Sequence, residues 1–94
     1  MSQPEHASLS IRRKRLLYRA THRGTHENDL LIGGFVASRI AAFTESDLDA
    51  LEAVLAFADV DLAHWLTGRK PIPPEADSPM LRRIKDAAGE IAGR

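Results

Sequence analysis

The chain predicts an all-α fold, a small five-helix bundle forming a single domain over residues 1 to 94, and three observations carry that expectation. Apolar residues recur at three- and four-residue steps rather than in alternation, which is helical periodicity. Strand signals are nearly absent: there are five aromatics in all, few β-branched clusters and no Asn-Gly or Asp-Gly hairpin dipeptide. Glycines and prolines fall largely between the periodic stretches, where helices stop and start.

Each element follows from local chemistry. Residues 1 to 8 read as a flexible N-terminus. Ser8 or Ser10 caps a first helix to about residue 22, with Leu9, Leu16, Leu17 and Ala20 on one apolar face. Gly24 stops it, because glycine enters the left-handed conformation without a Cβ penalty. Thr25 caps a second and longest helix to about residue 42, striped by Leu31, Ile32, Phe35, Val36, Ile40 and Phe43. Gly33 and Gly34 inside it cost ~1 kcal/mol each relative to alanine. Either another helix crosses closely there or the pair leaves a flat patch for a partner.

Thr44-Glu45-Ser46-Asp47 resembles a capping box with Asp in place of Glu, opening a third helix striped by Leu48, Leu51, Val54, Leu55 and Ala58. A short fourth helix over residues 60 to 67 buries Leu62, Trp65 and Leu66 and stops at Gly68. Pro71, Pro73 and Pro74 make residues 69 to 78 an extended Pro-rich linker. Ser78 then caps, and Pro79 begins, a last helix with Met80, Leu81, Ile84, Ala87, Ala88 and Ile91 inward.

Composition narrows the function classes. At 94 residues and 44% hydrophobic content there is enough apolar material for one core and not for two. The absence of cysteine excludes disulfides, zinc–thiolate sites and a cysteine nucleophile. Apolar runs such as Leu30-Leu31-Ile32 are far short of the ~20 residues a membrane helix needs, and the first ten residues lack the apolar region of a secretory signal. A cytoplasmic protein with no membrane insertion is expected. Zero formal net charge excludes a uniformly basic nucleic-acid binder.

Neutrality hides segregation. Residues 1 to 23 carry Arg12, Arg13, Lys14, Arg15, Arg19 and Arg23 against Glu5 alone, whereas residues 45 to 61 carry Glu45, Asp47, Asp49, Glu52, Asp59 and Asp61 with no Lys or Arg. Mutual attraction of the two segments within the bundle is the simplest reading; nucleic-acid binding and docking of a protein partner are the others. The outline of the first two helices resembles a helix-turn-helix. Its second helix, however, opens with Glu27, Asn28 and Asp29, whose two carboxylates repel phosphates.

No nucleotide-binding glycine loop or nucleophile elbow is present. His22 and His26 stand four apart, but Gly24 between them breaks the helical register that would align two metal ligands. His64 beside Trp65 reads as a helix-surface residue. No enzyme and no metal site are expected. The constellation that stands out is Arg23-Gly24-Thr25-His26-Glu27-Asn28-Asp29 at the corner between the first two helices.

Three stretches then fall into place together: Arg12-Arg13-Lys14-Arg15-Leu16-Leu17-Tyr18-Arg19, Arg23-Gly24-Thr25-His26-Glu27-Asn28-Asp29-Leu30-Leu31, and Asp59-Val60-Asp61-Leu62-Ala63-His64-Trp65-Leu66. In order and spacing, over roughly residues 11 to 70, they resemble the RGxxE family of succinate dehydrogenase assembly factors. That resemblance implies a five-helix protein promoting covalent attachment of FAD to the flavoprotein subunit of succinate dehydrogenase and, in some bacteria, of fumarate reductase. It implies Arg23, Gly24 and Glu27 as the functional motif, with Asp29 the next matching position. Arg19 and Trp65, from the flanking stretches, complete the candidate partner contacts; the indole reads first as core and, if exposed, as an anchor. Asn28 departs from the apolar residue common at its position.

The expected arrangement has Gly24 permitting close backbone approach to the flavoprotein, with Arg23 and Glu27 making charged hydrogen bonds to it. FAD stays with the partner and is not stably bound by this chain, which is expected to be a monomer. The alternative reading is a small nucleic-acid-binding or antitoxin-like regulator using the basic first helix.

Overall fold

Hydroxyl and carboxylate caps open several of the helices. In the computed structural model, which describes residues 9 to 92, Ser10 Oγ accepts from Arg13 N–H at 3.2 Å, starting α1 (Ile11–Thr21). The alternative cap Ser8, the expected flexible N-terminus and the inward side chain expected for Ile91 lie outside the described residues. Thr44 and Asp47 form a reciprocal capping box, each side chain bonding the other's backbone N–H at 3.0 Å, and open α3 (Glu45–Leu55). Ser78 Oγ accepts from Leu81 N–H at 3.1 Å at the head of α5 (Pro79–Ala92). Between these lie α2 (His26–Arg39), which tightens into a 3-10 turn (Ile40–Ala42), and α4 (Asp59–Leu66). The described residues are otherwise turns and irregular chain.

Four details differ from the sequence expectation. Thr25 occupies the cap position of α2 but makes no side-chain cap bond. The second helix does not run as an α-helix to residue 42. Instead Arg13 reaches from α1 to the carbonyls of Ile40 at 3.3 Å and Phe43 at 2.5 Å, satisfying acceptors that a helix end leaves free. Ala58 is not part of the third stripe: α3 ends at Leu55, and Ala58 is extended, exposed and occupies the N-cap position of α4 without a side-chain cap bond. The fourth helix begins one residue earlier than expected, at Asp59.

One core joins all five helices, with Ile32, Val36, Ile40, Leu48, Leu51, Leu62, Leu81 and Ile84 at its centre. Helix α2 is central, packing on α1, α4 and α5, while α3 closes the bundle against α1 and α5. Residues 69 to 78 carry no helix, yet Ala76 is buried and Ile72 packs against the core. Among the described residues, no helix is long and apolar enough to cross a membrane.

The segregated charges meet within the bundle. Arg12 bonds Glu45 at 3.1 Å, Asp49 at 2.6 Å and Glu52 at 3.1 Å, and Arg19 approaches Glu52 at 3.9 Å. Exposed pairs of this kind contribute little each, but they orient α1 along α3. With Arg12, Arg13, Arg19 and Arg23 engaged internally, few cations of the first segment remain for phosphates.

Candidate functional site: the corner between the first two helices

The chain leaves α1 at His22, and Gly24 makes the turn with φ +98°, a left-handed conformation that L side chains rarely adopt. A Cβ on Gly24 would meet nothing within 4 Å. Glycine is therefore required here by backbone conformation and not by crowding. Asp29, in the first turns of α2, reaches back to accept from Arg23 N–H at 2.7 Å and closes the turn. Gly24, Thr25, His26 and Glu27 all face outward.

Arg23 points the other way. Its side chain is only 10% exposed, and all three guanidinium nitrogens are used: Nε donates to Asp59 Oδ1 at 2.5 Å, and the two terminal nitrogens donate to the carbonyls of Leu55 at 2.9 Å and Phe57 at 2.8 Å. Those carbonyls belong to the end of α3 and the turn after it, and Asp59 is the first residue of α4. A cation at a helix C-terminus and an anion at a helix N-terminus both match the local dipole. One guanidinium thus ties the α1–α2 corner to the α3–α4 junction. The expectation of an outward Arg23 contact is replaced by an internal brace, because the fork geometry fits three acceptors already fixed by the fold.

Asn28 reinforces the brace and is the residue that sequence reasoning undervalued. It is 1% exposed, and its Nδ2 donates to Asp59 O at 3.0 Å and Asp59 Oδ1 at 3.1 Å. Both partners are acceptors, which fixes the amide orientation. Its Oδ1 is buried without a partner. Burial pushes the Asp59 carboxyl upward, but the hydrogen bonds from Arg23 and Asn28 and the Arg23 charge outweigh it and hold the group below its ordinary value. The departure from an apolar residue at Asn28 was visible in the sequence; its partner was not.

The remaining candidates separate cleanly. Glu27 is exposed and its side chain makes no ion pair or hydrogen bond among the described residues, so its carboxylate is free beside the Gly24 turn. Arg19 lies at the rim of α1, loosely held by Glu52. Trp65 is 8% exposed and meets Phe57 edge to face with ring centroids 5.2 Å apart, so it belongs to the core and leaves the candidate surface. The two glycines of α2 divide as well. A Cβ on Gly33 would stand 2.9 Å from Thr21 Cγ2 and 3.2 Å from Ala20 O, whereas one on Gly34 would meet nothing within 4 Å. Close crossing by α1 explains the first; Gly34 is exposed. Among the described residues no cluster of three metal-ligating side chains occurs, and His22 instead stacks on Tyr18.

Fold and corner define a class: a small all-α protein presenting a free carboxylate and an open glycine turn on a rigidly braced corner. Within that class, the chain belongs to the flavinator of succinate dehydrogenase family, which it matches over residues 14–88. It is 48% identical over 77 residues to the FAD assembly factor SdhE of Acetobacter pasteurianus, covering 82% of this chain and 71% of that protein. It is 38% identical over 80 residues to the mitochondrial succinate dehydrogenase assembly factor 2-A of Drosophila ananassae, and 37% over 79 residues to assembly factor 2 of Drosophila virilis. These matches cover 83% and 82% of this chain, which spans about half the length of the two Drosophila proteins, 51% and 50%. No solved structure matches the chain.

Proposed function

We infer that this protein promotes covalent attachment of FAD to the flavoprotein subunit of succinate dehydrogenase by binding that subunit, and that it serves a fumarate reductase subunit where one is present. The observation that carries this reading is family membership over residues 14–88 together with the relative that is an FAD assembly factor. The protein acts as a monomeric assembly factor and not as an enzyme. The side chain that would form the covalent bond, the groups that would take up its protons and the flavin chemistry itself all belong to the host subunit and its cofactor. FAD accordingly remains with the flavoprotein.

The corner suits such a role. Gly24 lets backbone approach the host without a side chain between, and the Glu27 carboxylate accepts charged hydrogen bonds from it. Arg23 and Asp29 hold the turn from behind, so little ordering remains to be done on docking. Arg19 stands at the rim of the contact.

The test is covalent flavin fluorescence of the flavoprotein subunit on denaturing gels, in cells lacking this protein and re-supplied with wild type, Glu27→Ala or Gly24→Arg. Wild type restores the signal and neither variant does. Full fluorescence without the protein removes the functional reading, and full restoration by both variants removes the corner from it.

A further inference from the structure

The corner by itself is too small to hold a partner. Its outward residues, 24 to 27, fall far short of the ~20 residues per side that a stable interface usually engages, so a second surface is needed. The outer side of α1, which leads directly into the corner, has the properties of one. Ile11 and Tyr18 are 69% and 63% exposed. Seven residues is close to two helical turns, so both side chains share one face, and Lys14 and Arg15 lie between them. The Tyr18 ring is held by stacking on His22, with centroids 4.0 Å apart and planes 13° from parallel.

Two shallow hollows share Tyr18. One of about 410 Å³ is walled by Ile11, Lys14, Arg15, Tyr18 and Arg19, almost entirely through carbon; the other, about 290 Å³, is walled by Leu9, Lys14, Leu17, Tyr18, Thr21 and His22. The stems of Lys14 and Arg15 thus line apolar space while their charged heads stay in water. Charge identifies the occupant. Arg12, Arg13 and Arg19 turn toward carboxylates and carbonyls of the bundle, whereas Lys14 and Arg15 make no ion pair or side-chain hydrogen bond among the described residues. Neither hollow has a carboxylate in its wall. Two free cations flanking an apolar strip fit an acidic peptide segment better than a nucleic-acid backbone, which rewards many cations and no hollow.

We propose that the outer face of α1 is a second docking surface for the flavoprotein subunit, taking an acidic segment whose apolar side chain packs beside Tyr18 while its carboxylates pair with Lys14 and Arg15. This rests on the flavoprotein reading above. Steering by such a pair raises the association rate and makes it salt-dependent, and the Tyr18 ring supplies the anchor.

The test measures the dissociation constant of the full chain for the purified flavoprotein subunit at low and high salt. Lys14→Glu/Arg15→Glu is compared with Arg69→Glu/Lys70→Glu, which makes the same charge change in the exposed segment after α4. The first pair is expected to weaken binding at least roughly tenfold at low salt and flatten the salt dependence, Tyr18→Ala to weaken it about 30-fold, and the second pair to change it by less than about threefold. Circular dichroism confirms that each variant is folded. Equal loss from both charge pairs overturns the proposal, because only overall charge then matters. Wild-type affinity in the α1 variants with weakened binding in Glu27→Ala overturns it while leaving the flavoprotein reading intact. Absence of binding by the wild-type chain overturns both. A wild-type dimer that Tyr18→Ala dissolves, or duplex binding that Lys14→Glu/Arg15→Glu abolishes, assigns the face to another occupant and overturns it as well.

Discussion

The inner and outer sides of the α1–α2 hairpin are built on opposite principles. On the inner side Arg23, Asn28 and Asp29 are tied by hydrogen bonds and Gly33 is pressed against α1. On the outer side Gly24 and Gly34 stand in open space and Glu27 has no partner among the described residues. Neighbours in sequence are split between the two: Arg23 from Gly24, Glu27 from Asn28, Gly33 from Gly34. The short RGxxE stretch therefore contains both a brace and a presented surface, and the difference teaches that its members are not interchangeable contacts. Arg23 makes the geometry, and Glu27 is presented by it.

If that division is correct, stability and activity respond to different residues. The largest stability loss is expected from Arg23→Ala, which strands two carbonyls and a partly buried carboxylate; about 3 kcal/mol is the scale for removing one partner of such a pair. Calorimetry should show Tm falling by more than about 10 °C. Arg23→Lys recovers only part of the loss, since an ammonium lacks the planar fork that reaches three acceptors.

Next come the paired glycines, whose responses should have opposite signs. Gly33→Ala forces α1 and α2 apart and lowers stability by about 1–2 kcal/mol after its gain in helix propensity, whereas Gly34→Ala adds up to ~1 kcal/mol. Urea midpoints of the two variants separate them, and equal values would break the inner–outer distinction along α2.

Acid sharpens the comparison further. Asp59 has a folded pKa below its unfolded value of ~3.9. Its stabilising contribution is fully present above the unfolded pKa and is lost as pH falls through the folded one. Between pH 6 and pH 3 the urea midpoint of wild type should therefore fall more steeply than that of Asp59→Asn. Parallel curves would mean that Asp59 does not hold Arg23 in solution.

The smallest stability effect belongs to Glu27→Ala, under ~1 kcal/mol from its lost interaction with the helix N-terminus. Flavinylation should nevertheless be lost. A Glu27→Ala protein as unstable as Arg23→Ala would place Glu27 on the inner side and dissolve the comparison.

Much of the fold was legible because helix stripes and caps are local. The Thr44–Asp47 box, the Ser78 cap before Pro79 and the apolar stripe from Leu31 to Phe43 each depend on residues within a turn or two of one another. The end of α3 is not legible in the sequence, because Ala58 continues its periodicity while the acceptors freed there are taken by a residue from another part of the chain. The corner could be located from its glycine and its motif, but the direction of its charges could not. Arg23 reads equally well as an outward contact until Asp59, 36 residues away, is placed beneath it.

By itself the sequence determined an all-α bundle, the places where its helices start and the family to which the corner motif points, because periodicity, capping and motif spacing are properties of neighbouring residues. Only the tertiary structure decided that Arg23 braces while Glu27 is presented, that Asn28 is buried, and that Trp65 belongs to the core. A guanidinium goes where fixed acceptors converge, and that convergence is made by helices packing on a shared core, not by the order of residues along any one of them.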